Sequence, residues 1–222
     1  MPDIYISDAS HDGTIVKSGA NHAAARDASS GTADTNDASD GDAIEYVKTS
    51  RTTSIRRAFF KFDTSDVTNS PASATLKIYG ITNGTADIIV VASDAFSLSG
   101  ALQNSDFNNL NFGKPYSSQI STWSTSGYND IALNIAGRQQ MATADDFIIA
   151  VIEHDYDYSD SAPVGATQTS ETGVYFTDQS GTDKDPYIEY SNIGDLLGTD
   201  FTTISTVSGV EVANIGKVIG VE

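Results

Sequence analysis

The chain has 222 residues, of which 30 are acidic and 12 basic, and its formal net charge at pH 7 is −18. A negative field of this size repels the phosphates of nucleic acids and the anionic surface of a bilayer, so we expect no nucleic acid and no membrane among its partners. No cysteine is present, which excludes disulfide bonds and thiolate metal sites.

The N-terminal sequence MPDIYISDAS enters a strand pattern directly and lacks the basic and apolar regions of a secretory signal. No apolar stretch approaches the ~20 residues that a membrane helix needs. We therefore expect neither Sec export nor a membrane span. A chain of this length fits one large β domain.

Ten short segments show the alternation or the β-rich composition of strands. In chain order they are residues 3–7, 14–18, 43–49, 55–62, 74–80, 86–93, 128–135, 147–154, 173–177 and 187–191. Two further segments, residues 105–110 and 135–144, have helical patterns, and turn-forming residues fill the gaps. About ten short strands with little helix predict an all-β fold, an antiparallel β-sandwich of jelly-roll type with one or two short helices.

Residues 20–41, between the second and third predicted strands, contain no aromatic residue and no aliphatic residue larger than Ala. Such a segment has little apolar surface to bury. It is therefore predicted to be a long surface loop or a disordered segment.

The strand predicted at residues 55–62 mixes cations and apolar residues on both faces. Alternation separates two sets: Ile55, Arg57, Phe59 and Lys61 on one face, and Arg56, Ala58, Phe60 and Phe62 on the other. We expect this strand at the centre of a sheet, with the stems of its Arg and Lys side chains over apolar neighbours. Their charged heads then meet Asp-rich loops.

Several motifs occur in a characteristic order. AFFKFDTSDV, which contains Phe62 and Asp63, precedes PASATLKIY; DDFIIAVIEHDYD follows later, and the last strand carries Pro186, Ile188 and Tyr190. This order, over residues 3–191, resembles the DNRLRE-type β-sandwich domain, which is similar to carbohydrate-binding modules. The sequence departs from that family in the middle, where Trp123 is the only tryptophan. The resemblance implies a sandwich of carbohydrate-binding type.

Residues 192–222 differ in composition from the rest and contain the related units ISTVSGV and IGKVIGV, eleven residues apart. The aligned apolar positions are Ile204, Val207 and Val210 in the first unit and Ile215, Val218 and Val221 in the second. Two such units cannot bury their own side chains, so they predict a small β appendage for anchoring or oligomerisation, attached to a sandwich of residues 1–191. The tail is similar to the Ile/Val/Gly repeats that end many tailed-phage structural proteins. An ordinary hairpin docked on the sandwich is the alternative.

Few residues suggest catalysis. His11, His22 and His154 are the only histidines, no Ser lies in a G-x-S-x-G motif, and the six Glu residues are scattered. With 24 Asp residues, no particular carboxylate pair is informative. We therefore expect a protein that is not an enzyme.

Two Asp-rich segments supply the clustered oxygen atoms that Ca²⁺ prefers. The candidate ligands are Asp37, Asp40 and Asp42 in the first segment and Glu153, Asp155, Asp157 and Asp160 in the second. Neither segment has EF-hand spacing. They predict a structural calcium ion, with solvated acidic turns as the alternative, and no other cofactor is expected.

Sugar recognition requires aromatic faces, because the C–H face of a pyranose ring stacks on them. The candidate residues are Tyr116, Trp123, Tyr128, Tyr156 and Tyr158. For Trp123, a role as a buried core residue is the alternative.

A carbohydrate-binding-like sandwich, the expected lack of an export signal and an apolar repeat tail fit a virion surface protein. We expect a non-enzymatic structural protein of a tailed bacteriophage, a head decoration or fibre component. Its expected partners are other virion proteins, further copies of itself with a trimer favoured, and host glycans. The alternative is a carbohydrate-binding module of a secreted polysaccharide-degrading enzyme or of a cell-surface protein.

Overall fold

The computed structural model describes residues 2–97 and 100–192, together with backbone strands at residues 206–207 and 210–211. The strands, in chain order, are β1 (Asp3–Tyr5), β2 (Asp12–Gly19), β3 (Thr32–Asp34), β4 (Ser39–Lys48), β5 (Thr53–Asp63), β6 (Ser73–Ile81), β7 (Ile88–Ser93), β8 (Leu110–Pro115), β9 (Tyr128–Ala132), β10 (Asp146–Glu153), β11 (Gln168–Tyr175), β12 (Tyr187–Ser191), β13 (Thr206–Val207) and β14 (Val210–Glu211). The helical elements are α1 (His22–Arg26), α2 (Ile135–Met141), 3-10 turns at Ala9–His11 and Asn104–Asn108, and a π-helical turn at His154–Tyr158. Within these described ranges, no helix is long and apolar enough to cross a membrane.

Twelve of the strands form one antiparallel sheet that folds over into two layers. The first layer contains β1, β12, β6 and β9, side by side. The second layer contains β3, β2, β5, β10, β7 and β8. The layers are connected by β4 and β11, because β4 pairs with β5 and β11 pairs with both β4 and β6. β13 and β14 form a separate two-stranded sheet.

The main hydrophobic core lies between the two layers. Leu76, Ile78 and Ile188 enter it from the first layer, and Phe60 and Phe62 enter it from the second; all five are fully buried. Their alternation with outward residues is the pattern that the sequence shows in these strands. The predicted antiparallel all-β sandwich is confirmed.

A second hydrophobic cluster covers the outer face of the second layer. Ile55 and Phe59 of β5 project into this cluster, on the face opposite Phe60. Ala25 of α1 and Phe107 of the second 3-10 turn close over it. β5 is therefore buried on both faces, which explains why its sequence lacks a simple alternation of apolar and polar residues.

The ten predicted strands are all present, with shifted ends, and both predicted helical segments contain helical turns. The sequence does not predict β3 or β8. β3 has three residues, and β8 contains Gly113 and Pro115, so neither carries a strong strand pattern.

The prediction for residues 20–41 is wrong in part, because this segment contains α1 and β3. The side chain of Asn21 caps α1 by accepting the N–H of Ala24 at 2.9 Å. The helix backbone approaches Gly19 so closely that a Cβ at this glycine would lie 2.5 Å from the carbonyl carbon of Ala24. Small residues thus permit close packing here. The sequence prediction missed it because it relied on the lack of large apolar side chains.

Arg57 of β5 is fully buried in the second cluster. Its Nε and Nη2 donate to the carboxylate of Asp157 at 2.8 and 2.7 Å. Nη1 donates to the carbonyl of Phe107 at 2.7 Å, and Nη2 also donates to the carbonyl of Arg26 at 3.0 Å. The guanidinium carbon lies 4.1 Å from the ring centroid of Phe107. One side chain therefore joins β5 to α1, to a 3-10 turn and to the π-helical turn.

The other two cations of β5 also bind acidic residues. Arg56 donates to Asp40, and Lys61 Nζ lies 3.1 Å from a carboxylate oxygen of Asp146. All three cations of this strand meet aspartates. Asp40 belongs to β4 and Asp146 begins β10, so the predicted contact with an acidic loop holds for Arg57 and Asp157 alone.

Asp12, at the start of β2, is a second buried charge site. Its carboxylate is fully buried and accepts hydrogen bonds from the backbone N–H and the hydroxyl of Thr177, both at 3.0 Å. Burial raises the pKa of Asp12 from 3.8 to about 7; the hydrogen bonds from Thr177 lower it, and the negative charges of Asp178 and Asp185 raise it further. Between about pH 4 and pH 7, Asp12 is therefore protonated in the folded chain and ionised in the unfolded chain.

Removal of one member of the Arg57–Asp157 pair should destabilise the fold strongly, because the remaining charge stays buried without its partner. We expect Asp157→Asn to lower the free energy of unfolding by about 3–5 kcal/mol, measured by urea denaturation. The control is Asp130→Asn, which removes an exposed partner of Lys77 and should cost under about 1 kcal/mol. A loss for Asp157→Asn no larger than that of the control would contradict this assignment.

Asp12 should make the free energy of unfolding fall as the pH rises from about 4 to about 7, because its pKa is higher in the folded state than in the unfolded state. Asp12→Asn keeps an acceptor for Thr177 and removes this dependence. Over this pH range, the free energy of unfolding should fall by up to about 4 kcal/mol more in the wild type than in the variant. At about pH 8 the variant should be the more stable of the two proteins. Chemical denaturation over a pH series measures both quantities, and equal slopes for the two proteins would refute the role of Asp12.

Candidate functional site

The outer face of the first layer is built by strand alternation. In β6, Leu76 and Ile78 point into the core, so Lys77 and Tyr79 project from the opposite face. Tyr79 is the register partner of Tyr128 on β9. Neighbouring strands thereby bring side chains together that are distant in sequence.

Five tyrosines from five strands meet on this face, and we refer to them as the tyrosine cluster. Its members are Tyr5 of β1, Tyr187 of β12, Tyr128 of β9, Tyr79 of β6 and Tyr175 of β11. Tyr5 and Tyr187 stack with centroids 5.0 Å apart. The contacts Tyr187–Tyr128, Tyr128–Tyr79 and Tyr79–Tyr175 are edge-to-face, at 5.3, 5.2 and 5.5 Å. Each edge-to-face contact is a favoured aromatic geometry, so the rings fix one another.

The cluster is partly open to solvent. Tyr5 is 45% exposed and the other four rings are half-buried. The hydroxyl of Tyr128 donates to the carbonyls of Asp183 and Asp185, both at 3.1 Å, and burial raises the pKa of Tyr128. Its hydroxyl therefore stays protonated at neutral pH, and the ring is held in place.

Charged side chains stand beside the rings. Lys77, the register partner of Tyr187, has its Nζ 2.9 Å from Asp130 and 3.6 Å from Glu189. Carboxylates and ammonium groups next to aromatic rings are suited to binding the hydroxyls of a ligand whose apolar face lies on the rings.

Lys184, in the segment between β11 and β12, covers one end of the cluster. Its Nζ lies 4.1 Å from the ring centroid of Tyr175 and 5.4 Å from that of Tyr79. A hydrogen bond with Tyr175 raises the pKa of Lys184, so the amine is charged. The cation and the two ring faces attract each other.

Of the five aromatic residues predicted to bind sugar, only Tyr128 belongs to this cluster. The prediction for Tyr116 is wrong: its side chain is fully buried in the main core and stacks on Phe147 at 5.3 Å. Trp123 is partly buried against the same core, and its Nε1 donates to the carbonyl of Gly173 at 3.3 Å. These contacts favour the core role for Trp123.

Tyr156 and Tyr158 lie on the other side of the sandwich, against the second hydrophobic cluster. Tyr156 packs on Tyr46 with centroids 4.9 Å apart, and Tyr158 stacks on His154 at 5.5 Å. The structure therefore does not unite them with Tyr128 in one surface.

The first Asp-rich segment lies beside Arg56. Asp40 accepts a hydrogen bond from Arg56, and Asp42 lies 3.5 Å from Nη2 of the same side chain. Asp37 is exposed, and its pKa is raised by partial desolvation and by the nearby charges of Asp34 and Asp40. The arginine neutralises the buried carboxylate of this segment.

The second Asp-rich segment holds the π-helical turn together. The fully buried carboxylate of Glu153 accepts the backbone N–H groups of Asp155, Tyr156 and Asp157 at 3.1, 2.7 and 3.0 Å. This cap presents Asp157 to Arg57.

The outer acids of that segment bind histidines. Asp155 lies 2.9 Å from Nδ1 of His154, and Asp160 lies 3.1 Å from Nε2 of His22. Within residues 2–97 and 100–192, no group of three or more His, Asp or Glu side chains is arranged to hold a metal ion. The calcium hypothesis therefore gains no support from this geometry.

The predicted tail is only partly described. Val207 and Val210 belong to the paired strands β13 and β14. The other repeat positions, Ile204, Ile215, Val218 and Val221, lie outside the described residues. The domain boundary at residue 191 stays a prediction.

Four members of the tyrosine cluster, Tyr5, Tyr79, Tyr175 and Tyr187, were not identified from the sequence as binding residues. The sequence feature that marks them is strand alternation: each tyrosine occupies an outward position next to an inward apolar residue. No protein-family model matches the chain, and no curated protein is significantly similar to it. The resemblance to the DNRLRE-type domain stays a prediction.

Proposed function

We propose that this protein is a non-enzymatic carbohydrate-binding protein that holds glycans on the tyrosine cluster. The observation that carries the proposal is the contact of five tyrosines from five strands on one partly exposed sheet face. Aromatic rings held in fixed orientations lose little conformational entropy on binding, which favours weak, stacking ligands such as pyranose rings.

The charged groups support a carbohydrate rather than a purely apolar ligand. Lys77, Asp130 and Glu189 lie on the same face and offer donors and acceptors for sugar hydroxyls. Sites of this kind combine a few polar groups with an aromatic surface.

A binding role without catalysis agrees with the surroundings of two histidines. His22 contacts the hydroxyl of Tyr46 and the carboxylate of Asp160, and His154 contacts Asp155. The buried acids Asp157 and Glu153 are bound by an arginine and by backbone N–H groups respectively. These contacts give the groups structural roles.

We further propose that the protein is a structural component of a tailed-phage virion, a head decoration or a fibre component, displayed at the particle surface. The support is the repeated Ile-x-x-Val-x-Gly-Val unit within residues 192–222, which needs a partner surface. Oligomerisation through this tail, as a trimer, would present several tyrosine clusters at once and increase avidity.

Removal of an aromatic ring from the cluster should weaken glycan binding. We expect Tyr5→Leu to lower the affinity for glycans selected on an array by about tenfold, the usual effect of deleting an aromatic contact worth over about 1 kcal/mol. Tyr5→Phe keeps the ring and should bind within about threefold of the wild type. Calorimetry on the selected glycans measures the effect. A blank array, or binding that responds to Tyr156→Leu and not to Tyr5→Leu, would contradict the proposal.

Deletion of residues 193–222 should separate binding from assembly. We expect the shortened chain to remain folded and monomeric and to keep the per-site affinity of the tyrosine cluster, while the full chain is oligomeric. Sedimentation and circular dichroism measure mass and folding. Equal masses per particle for the two chains, or loss of folding in the shortened chain, would refute the role assigned to the tail.

A further inference from the structure

Tyr79 and Tyr175 form a corner at one end of the tyrosine cluster. Their rings are nearly perpendicular, at 84°, with centroids 5.5 Å apart. Each ring face carries the negative part of its quadrupole. A cation that lies over both rings is therefore attracted by both.

The protein places a cation of its own there. Lys184 Nζ lies over both rings, 4.1 Å from the centroid of Tyr175 and 5.4 Å from that of Tyr79. Among the ion pairs of the described residues, none joins Lys184 to a carboxylate within 4.0 Å. The interactions of this charge are thus a hydrogen bond with Tyr175 and the contact with the two rings, and an ammonium group fits the corner.

The surroundings favour a positively charged ligand. The chain has a net charge of −18, and Asp130 and Glu189 lie on the same sheet face as the cluster. Acidic groups near an aromatic corner raise the local concentration of cations and repel anions. An ammonium group on a glycan can therefore enter the corner while its sugar rings lie on the neighbouring tyrosines.

We propose that the Tyr79–Tyr175 corner binds an ammonium group carried by a glycan, such as the free amine of a deacetylated amino sugar, and that Lys184 occupies this corner in the unbound protein. The inference rests on the proposed function, because it names the class of glycan that the tyrosine cluster binds.

Lys184 acts as an internal competitor. A ligand ammonium must displace it, so the apparent affinity equals the intrinsic affinity multiplied by the fraction of molecules in which the corner is free. Removal of the lysine amine should therefore raise the affinity for an aminated glycan and leave the affinity for its neutral counterpart unchanged.

The test compares two tetrasaccharides that differ only in their charge: the β-1,4-linked glucosamine tetramer and its fully N-acetylated form. Calorimetry is carried out at a pH at which the free amines are protonated, on the wild type, Lys184→Gln, Tyr175→Leu and Lys17→Gln. Lys17, on β2, provides the matched control, because its replacement changes the net charge equally. Melting curves confirm that each variant is folded.

We expect the wild type to prefer the amine tetramer, Lys184→Gln to bind it about three- to tenfold more tightly, and Tyr175→Leu to lose the preference. Lys17→Gln should behave as the wild type. An equal gain in Lys17→Gln would assign the preference to net charge and overturn the inference.

Three further outcomes distinguish the inference from the proposed function. Equal binding of the two tetramers by all variants would overturn the ammonium site and leave carbohydrate binding in place. Failure of both tetramers to bind, while the array identifies other glycans, would also overturn the ammonium site alone. A blank array together with no binding of either tetramer would overturn both.

Discussion

The buried pair of Arg57 and Asp157 is the interaction on which the arrangement of the sandwich depends. β5 lies in the middle of the second layer and is covered on both faces, and the side chain of Arg57 is fully buried, so its charge has no contact with solvent. Burial of such a charge without a partner is strongly destabilising, and the structure provides a bidentate carboxylate and two backbone carbonyls. The pair fixes the segments that cover the outer face of the second layer.

The covering of that face leaves the outer face of the first layer as the open sheet face. α1, a 3-10 turn and the π-helical turn close over the second layer, whereas the outer face of the first layer carries the tyrosine cluster and its charged neighbours. Aromatic residues packed edge-to-face on a sheet are already ordered before a ligand arrives. The asymmetry between a covered layer and an open one thus links the buried arginine to the proposed function.

Local patterns in the sequence predict the strands well, because alternation along a strand depends only on residues two apart. Contacts such as Tyr5 with Tyr187 and Tyr79 with Tyr128 depend on which strands become neighbours, and no local pattern contains that information. Tyr116 was predicted to bind sugar and is instead a core residue. It lies in an irregular stretch of sequence, yet its N–H binds the carbonyl of Val90 and its ring enters the core.

The Asp-rich segments show a second limit. Clustered acids predict a cation among them. The fold supplies arginines: Arg56 of β5 binds Asp40, and Arg57 of β5 binds Asp157. Arg26 of α1 also lies near Asp157. Arg56 and Arg57 are both visible in the sequence, and both reach aspartates, of which Asp157 lies in a turn and Asp40 in β4. Only the three-dimensional arrangement reveals that the predicted calcium ligands Asp40 and Asp157 are also the partners of these arginines.

We propose that glycans bind to the outer face of the first layer, on the tyrosine cluster. Fluorine NMR of protein labelled with 3-fluorotyrosine tests it directly, because all ten tyrosines can be assigned by Tyr→Phe replacement. On titration with an array-selected glycan, the resonances of the tyrosine cluster should shift while those of Tyr116, Tyr156 and Tyr158 stay fixed. Shifts confined to Tyr156 and Tyr158, with an unchanged cluster, would contradict the account.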